Sequence, residues 1–209
     1  MTITHLRHVG IFSPDLGKHR EFYRAIWGLD QIDEEIDAVY FRGASAEHHL
    51  LSLHAAKRCG LHHIAFGVSN EDDVRRTARE LQSRGIRLVS EPQPLGEPGG
   101  GYGFRFFDPE GRCIELSAGV IQHQGGWQAK PVQPHSICHV VLNTTRMDDM
   151  IGFTQIYSAF GSPTGAKIRW SFCDVIPNTM RLRLVAPLTL LLTISLTSYP
   201  MSMKSCAAW

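Results

Sequence analysis

The sequence predicts an α+β fold in which paired βαβββ units form one cup-shaped mixed sheet, followed by an incomplete second domain. Three observations lead there. Residues 5–118 hold two successive strand-helix-strand-strand-strand units. The opening of the first, Arg7-His8-Val9-Gly10-Ile11, returns as Cys138-His139-Val140-Val141-Leu142, with His139 lying 131 residues after His8. From Thr154 the repetition stops, and Leu184 to Thr197 is rich in Leu, Thr and Ser but carries no charge.

Taken in order, His5 to Phe12 is a strand, and Ser13-Pro14-Asp15 is a turn able to cap the helix that follows. That helix runs to about Trp27 and stops at Gly28. Ala38 to Arg42 and His49 to His54 are further strands around a turn at Gly43 to Glu47. The order then restarts with a strand at Leu61 to Val68. Glu71 to Arg84 is a helix, because Val74, Ala78 and Leu81 recur at helical spacing with charges opposite, and Gly85 ends it. Strands follow at Ile86 to Val89, Gly103 to Phe107 and Arg112 to Ser117, the last two joined by the turn Asp108-Pro109-Glu110-Gly111. The predicted division is a first domain at 1–120, a Gly- and Pro-containing linker at 121–134, and a truncated second domain at 135–209.

Composition limits the partners. A formal net charge of +1 without a basic stripe gives no footprint for nucleic acid, so a small-molecule ligand is expected. Five irregularly spaced cysteines match neither a zinc cluster nor a disulfide framework, which points to reduced thiols in the cytoplasm. The first residues do not read as a secretory signal. The run from Leu184 to Thr197 is shorter than the roughly 20 apolar residues of a spanning helix and is interrupted by Pro187, which argues against a membrane anchor.

Three residues carry candidate chemistry. His8 lies in the first strand of the first unit, His63 in the first strand of the second, and Glu115 in the last strand of the second. Two neutral imidazoles and a carboxylate are a ligand set for Fe(II) with open positions, and also for zinc or manganese. They meet if the two units share one cup. The plainer alternative is that strand histidines, among 11 in the chain, serve only as hydrogen-bonded packing residues.

His8-Val9, Leu61-His62-His63-Ile64-Ala65-Phe66, and the run Gly99-Gly100-Gly101-Tyr102-Gly103-Phe104-Arg105-Phe106-Phe107-Asp108-Pro109-Glu110-Gly111-Arg112 resemble the vicinal oxygen chelate superfamily of glyoxalases, bleomycin-resistance proteins and dioxygenases. Within it, the two-domain layout is similar to type I extradiol ring-cleavage dioxygenases of the dihydroxybiphenyl and catechol kind. The resemblance covers residues 1 to about 153. It implies a non-haem Fe(II), or another divalent metal, that binds both hydroxyls of a small catechol-type aromatic substrate beside a position for dioxygen. It allows a homo-oligomer. It also implies that the working metal lies in the second domain, where His139 matches the first of three ligands. The other two belong about 55 and 105 residues further on, by the spacing of His8, His63 and Glu115.

The second ligand is therefore expected near position 194, where Leu192-Thr193-Ile194-Ser195-Leu196-Thr197 contains no histidine. If the codons are read one base earlier, Leu192 to Tyr199 permits Asn-His-Ile-Ala-Tyr-Glu-Leu, a twin of Leu61 to Val68. The same shift lets Phe172 to Met180 read Leu-Arg-Cys-Asp-Thr-Glu-His-His, beside Phe41-Arg42 and Glu47-His48-His49. Residues 154–209 are accordingly expected to be an out-of-frame tail that replaces the reacting half.

Three functions stay open on these grounds. The first is an extradiol-dioxygenase-like chain that has lost ring cleavage. The second is a first domain that binds metal through His8, His63 and Glu115 and acts as a dioxygenase or a glyoxalase-like isomerase. Against ring cleavage there, Arg105 stands ten residues before Glu115, where the family's catalytic domain carries a Tyr; His48 occupies the place of its acid-base histidine. The third is a metal-free module of the bleomycin-resistance type that holds an aromatic ligand.

Overall fold

The chain uses one topology twice and joins the copies edge to edge. The computed structural model describes residues 3–124, 133–142, 144–158, 167–172, 180–185 and 191–196. The first unit is β1 (Ile3–Ser13), α1 (Leu16–Ala25), β2 (Asp30–Glu35), β3 (Ala38–Arg42) and β4 (Leu51–Ala55). The second is β5 (Gly60–Val68), α2 (Glu71–Ser83), β6 (Leu88–Pro94), β7 (Tyr102–Phe107) and β8 (Cys113–Ala118). All eight strands form a single mixed sheet in the order β2-β3-β4-β1-β5-β8-β7-β6. Each unit closes with its first and last strands parallel, β1 on β4 and β5 on β8, and the units meet through the antiparallel pair β1 and β5.

Local chemistry sets the helix ends. The Asp15 carboxylate accepts from the Lys18 backbone N–H at 3.0 Å and starts α1. Asn70 does the same for α2 through the Asp73 N–H at 2.9 Å, and Glu71, Asp72 and Asp73 place negative charge against the positive end of the helix dipole. Gly85, with φ +79°, ends α2 in a left-handed conformation that suits glycine.

Register gives the sheet two unlike faces, since directly opposed residues on neighbouring strands point the same way. One row runs Leu51, Val9, Ile64, Ile114, Phe106; another runs Leu6, Phe66, Leu116, Phe104. Both are buried, and Val74, Ala78 and Leu81 of α2 join the same core, with α1 lying on β3 and β4. The other face is polar. There His8, Ala65, Glu115 and Arg105 make one row, and Tyr40, Ser52, Gly10 and His63 make the next.

Several bounds differ from the sequence-based expectation, α1 ending at Ala25 and β4 beginning at Leu51, and two differences have a clear physical cause. β2 was not separable as a strand, because Asp-Gln-Ile-Asp-Glu-Glu is a polar edge with no buried residue, and pairing with β3 alone defines it. β6 begins at Leu88 rather than Ile86, pulled along the chain by its pairing to β7.

The described parts of the linker hold fast to the first unit. Pro134 and His135 carbonyls accept from the Ala44 and Ser45 N–H groups at 2.9 and 3.1 Å, and Gln133 donates to Asp30 at 2.7 Å. β9 (Ser136–Leu142) and α3 (Met147–Ser158) then begin the second domain. The Glu110 carboxylate accepts from the Thr145 and Arg146 N–H groups at 3.0 and 3.2 Å, so the β7–β8 turn caps α3. Phe153 meets Phe106 with centroids 6.2 Å apart. Beyond Ser158 the described elements are the antiparallel pair β10 (Lys167–Phe172) and β11 (Met180–Val185), and β12 (Leu191–Leu196), which runs parallel to β9 with Thr193 opposite His139. Among the described residues no helix is long and apolar enough to cross a membrane.

Gly10 is the point where the polar rows depend on a missing side chain. A Cβ there would fall 2.4 Å from His63 Nδ1 and 3.0 Å from Ser52 Oγ. His63 is fully buried and held on both ring nitrogens, so it cannot step aside. Gly10→Ala is expected to lower stability by about 1–3 kcal/mol, as overpacking does. Urea denaturation measures this; an unchanged midpoint would show that the pocket yields.

Candidate functional site

The antiparallel junction brings His8, His63 and Glu115 to one place although 107 residues separate the first from the last. The Nε2 atoms of His8 and His63 face each other at 2.7 Å, with their rings edge to face. His63 Nδ1 meets His62 Nδ1 at 2.7 Å. A neutral imidazole has one N–H, so one ring of each pair donates and the other accepts. His49 lies over His8 with centroids 4.1 Å apart, and the His54 ring stacks on His62 at 3.8 Å.

Glu115 is fully buried and held from both sides. Its Oε2 accepts from Arg105 Nε and Nη2, each at 2.8 Å. Its Oε1 accepts from Ser117 Oγ at 3.1 Å, which in turn accepts from Arg7 Nη1 at 2.8 Å. A register shift between Leu6 and His8 bulges the strand at Arg7, whose guanidinium reaches the polar face and also donates to Glu47. Arg105 Nη2 donates as well to Glu97, a residue of the loop before β7. Glu97 Oε2 and Oε1 lie 3.7 and 3.9 Å from the Nε2 atoms of His8 and His63.

Burial fixes the protonation of the rings. It pushes His8 and His63 well below the usual imidazole value, with neighbouring positive groups adding to the effect. His49 and His62 are pushed down to about 3 and His54 to about 4, again chiefly by burial. Burial and then the Glu115 charge raise Glu97. Arg105 behaves oppositely: burial opposes its charge, but Glu115 and Glu97 outweigh burial and hold its pKa above the usual value.

Beside this cluster opens a cleft of about 610 Å³, walled by Phe12, Tyr40, His54, His62, Glu97 and Arg105. That volume suits a small organic ligand. His48 is not in its wall. The His48 ring stacks on His123 and lies beneath Gly99, whose added Cβ would come 2.7 Å from His48 Cγ; the positive φ of +93° and this contact both call for glycine.

Neutral imidazoles and carboxylates are the right donor types for a divalent ion, but their present arrangement does not fit one. Arg105 donates twice to the Glu115 oxygen that would bind it. An ion there would sit about 4 Å from the guanidinium, a repulsion on the order of 8 kcal/mol at an effective dielectric of 20. Among the described residues His8 Nδ1 is buried without a hydrogen-bond partner, and none of them supplies the outer contact that orients a metal-bound imidazole. His139, expected as the first ligand of a separate centre in the second domain, lies in β9, and its side chain is outside the described residues.

The sequence pointed to His8, His63 and Glu115 because they fall on equivalent strands of the repeated unit. Glu97 escaped notice, since a lone carboxylate among Pro and Gly in a loop shows no periodicity.

Residues 5–116 match the Glyoxalase/Bleomycin resistance protein/Dioxygenase superfamily. The chain is 34% identical over 110 residues to a manganese-dependent 2,3-dihydroxybiphenyl 1,2-dioxygenase of Geobacillus genomosp. 3, covering 52% of this chain and 35% of that protein. It is 31% identical over 119 residues to metapyrocatechase 2 of Cupriavidus necator, covering 55% of this chain and 36% of that protein. The solved structure of the Mn(II)-bound glyoxalase from Novosphingobium aromaticivorans aligns with a TM-score of 0.69 at 31% identity, over 75% of this chain and 53% of that one. The match thus spans about a third of the curated relatives' length.

The buried neutral rings make stability depend on pH. Below about pH 6.5 histidines of the unfolded chain take up protons that the folded ones refuse, so stability falls as pH drops from 6.5 towards 3. For His49 alone the loss by pH 5 is about 2 kcal/mol. Thermal unfolding followed by circular dichroism between pH 7 and 5 should show a falling midpoint; a flat profile would mean the rings are charged or exposed.

Proposed function

Because this chain belongs to the Glyoxalase/Bleomycin resistance protein/Dioxygenase superfamily, we propose that it is an extradiol-dioxygenase-like polypeptide whose reacting half is read out of frame. Its substrate class would be a catechol-type aromatic. A divalent ion, Fe(II) or Mn(II), bound in an intact second domain would engage both hydroxyls and lower their pKa. A 2,3-dihydroxybiphenyl dioxygenase and a metapyrocatechase among the relatives support the class, and the manganese dependence of the first supports a divalent ion.

The observation that carries this reading is the contrast between the two copies. In the first, Arg105 donates to Glu115 in the place a metal would need. In the second, His139 stands at the position of His8, and the shifted frame of Leu192 to Tyr199 restores a histidine 55 residues after it, the same interval that separates His8 from His63. A restored Glu-His-His at Asn178 to Met180 matches Glu47-His48-His49 in the same frame. Residues 1–120 would then be the companion domain, 121–134 the linker, and 154–209 the displaced tail.

A second reading, a metal-free cup of the bleomycin-resistance type that binds an aromatic ligand, is favoured by the cleft itself. Phe12, Tyr40 and the neutral rings of His54 and His62 offer flat, weakly polar walls. The likeness to a Mn(II)-bound glyoxalase speaks for a glyoxalase-like isomerase, but in the first domain the Arg105 guanidinium holds the carboxylate that such a metal would need.

Dioxygen uptake with catechol and 2,3-dihydroxybiphenyl tests the main reading. The chain as it stands, supplied with Fe(II) or Mn(II), should consume no dioxygen above background. A gene with one base restored near codon 153 and carried on in the new frame should consume it, and only with metal. Turnover by the unaltered chain, or none by the restored one, would sink the out-of-frame proposal.

A further inference from the structure

We propose that Arg105 acts as an internal cation in the first-domain cup, and that neutralising it opens a divalent-metal site made of His8, His63, Glu97 and Glu115. Three observations meet there. The two imidazole Nε2 atoms face each other at 2.7 Å, a hydrogen-bond distance, and need to part by only about 0.3–0.6 Å to sit as neighbouring ligands about 2.1 Å from one ion. Ligand atoms of His63, Glu97 and Glu115 all lie within 4.8 Å of one another. Arg105 is the cation that bridges the two carboxylates, donating to both from one guanidinium.

Register explains why one residue can do this. Arg105 pairs directly with Glu115 across β7 and β8, so its side chain leaves the sheet on the same face as the carboxylate. Its length carries the guanidinium past Glu115 to Glu97, a residue eight positions earlier in the chain. A guanidinium stays protonated throughout the working range and satisfies both acids with fixed N–H directions. Without it, one buried and one half-buried carboxylate would face two neutral imidazoles with no cation between them. That is the electrostatic demand a divalent ion meets.

The site differs from the proposed second-domain centre: it uses first-domain residues only, and its test reads metal content rather than ring cleavage. The two proposals therefore stand or fall separately.

Equilibrium dialysis of the full chain against Co(II), with visible absorption of the bound ion, tests it. The unaltered chain should hold no Co(II) that His63→Ala removes. Arg105→Gln should gain one equivalent, with absorption bands from nitrogen and oxygen ligation, and His63→Ala in that background should abolish the gain. Arg105→Lys keeps the charge and should gain none; it also shows whether shortening the side chain alone alters the fold. Should Arg105→Gln fail to fold, Arg105→Met, similar in length and uncharged, takes its place with the same expected gain. A folded, neutral variant at 105 that takes up no more Co(II) than Arg105→Lys overturns the proposal. So does an unaltered chain that binds one equivalent through His63.

Discussion

The antiparallel pairing of β1 with β5 is the constraint from which the rest of the site follows. Each βαβββ unit alone places a histidine on its first strand, but half a sheet gives that side chain nothing to meet. Joining the units puts Ala65 between His8 on one side and Glu115 on the other, and sets Gly10 opposite His63. Ala65 and Gly10 are the smallest side chains in their rows, and the room they leave is filled by the rings. A register slip of one residue would turn every one of these groups to the opposite face and bring Val9 and Ile64 into the polar cup. The apolar rows and the site are thus specified by the same hydrogen bonds.

A polar face this deeply buried is tolerated only where its groups find partners. The chain meets that condition with a continuous series of contacts: His5 to Glu47, Glu47 to Arg7, Arg7 to Ser117, Ser117 to Glu115, and Glu115 through Arg105 to Glu97. His8 and His63, kept neutral by burial, add no charge to the balance. Among the described residues the guanidiniums of Arg7 and Arg105 contact all three carboxylates, and removing either partner of such a buried pair commonly costs about 3–5 kcal/mol. The position of these groups reflects charge compensation first and ligation second.

Much of this was legible in the sequence, and the legible part has a common cause. Repetition of the unit marked His8 and His63 as equivalent, and the Asp-Pro-Glu-Gly turn fixed where the strand bearing Glu115 begins. Both are local or periodic signals. What stayed hidden depends on distance in the chain. The polar edge strand β2 exists through its pairing with β3, and Glu97 enters the cup because the loop at Gly99 folds back over His48. Arg105 was visible as a departure from the family pattern, but its bridging of two carboxylates was not, since one of them lies in a loop of no regular spacing. His54 and His62 read as ordinary strand residues until the sheet aligned them along the cleft.

In the first-domain cup a guanidinium supplies the positive charge that Glu97 and Glu115 require. That charge comes from a single strand position, Arg105 of β7. A guanidinium at that position satisfies the acids permanently, which makes the cup rigid and independent of supply. A neutral side chain leaves the acids uncompensated, and what the fold loses by that omission is the free energy a bound ion returns. Stability without metal and affinity for metal are therefore opposite settings of one electrostatic balance. A domain that supports another, as the first domain does here through the Glu110 cap on α3 and the strap to Pro134, gains from the setting that needs no ligand.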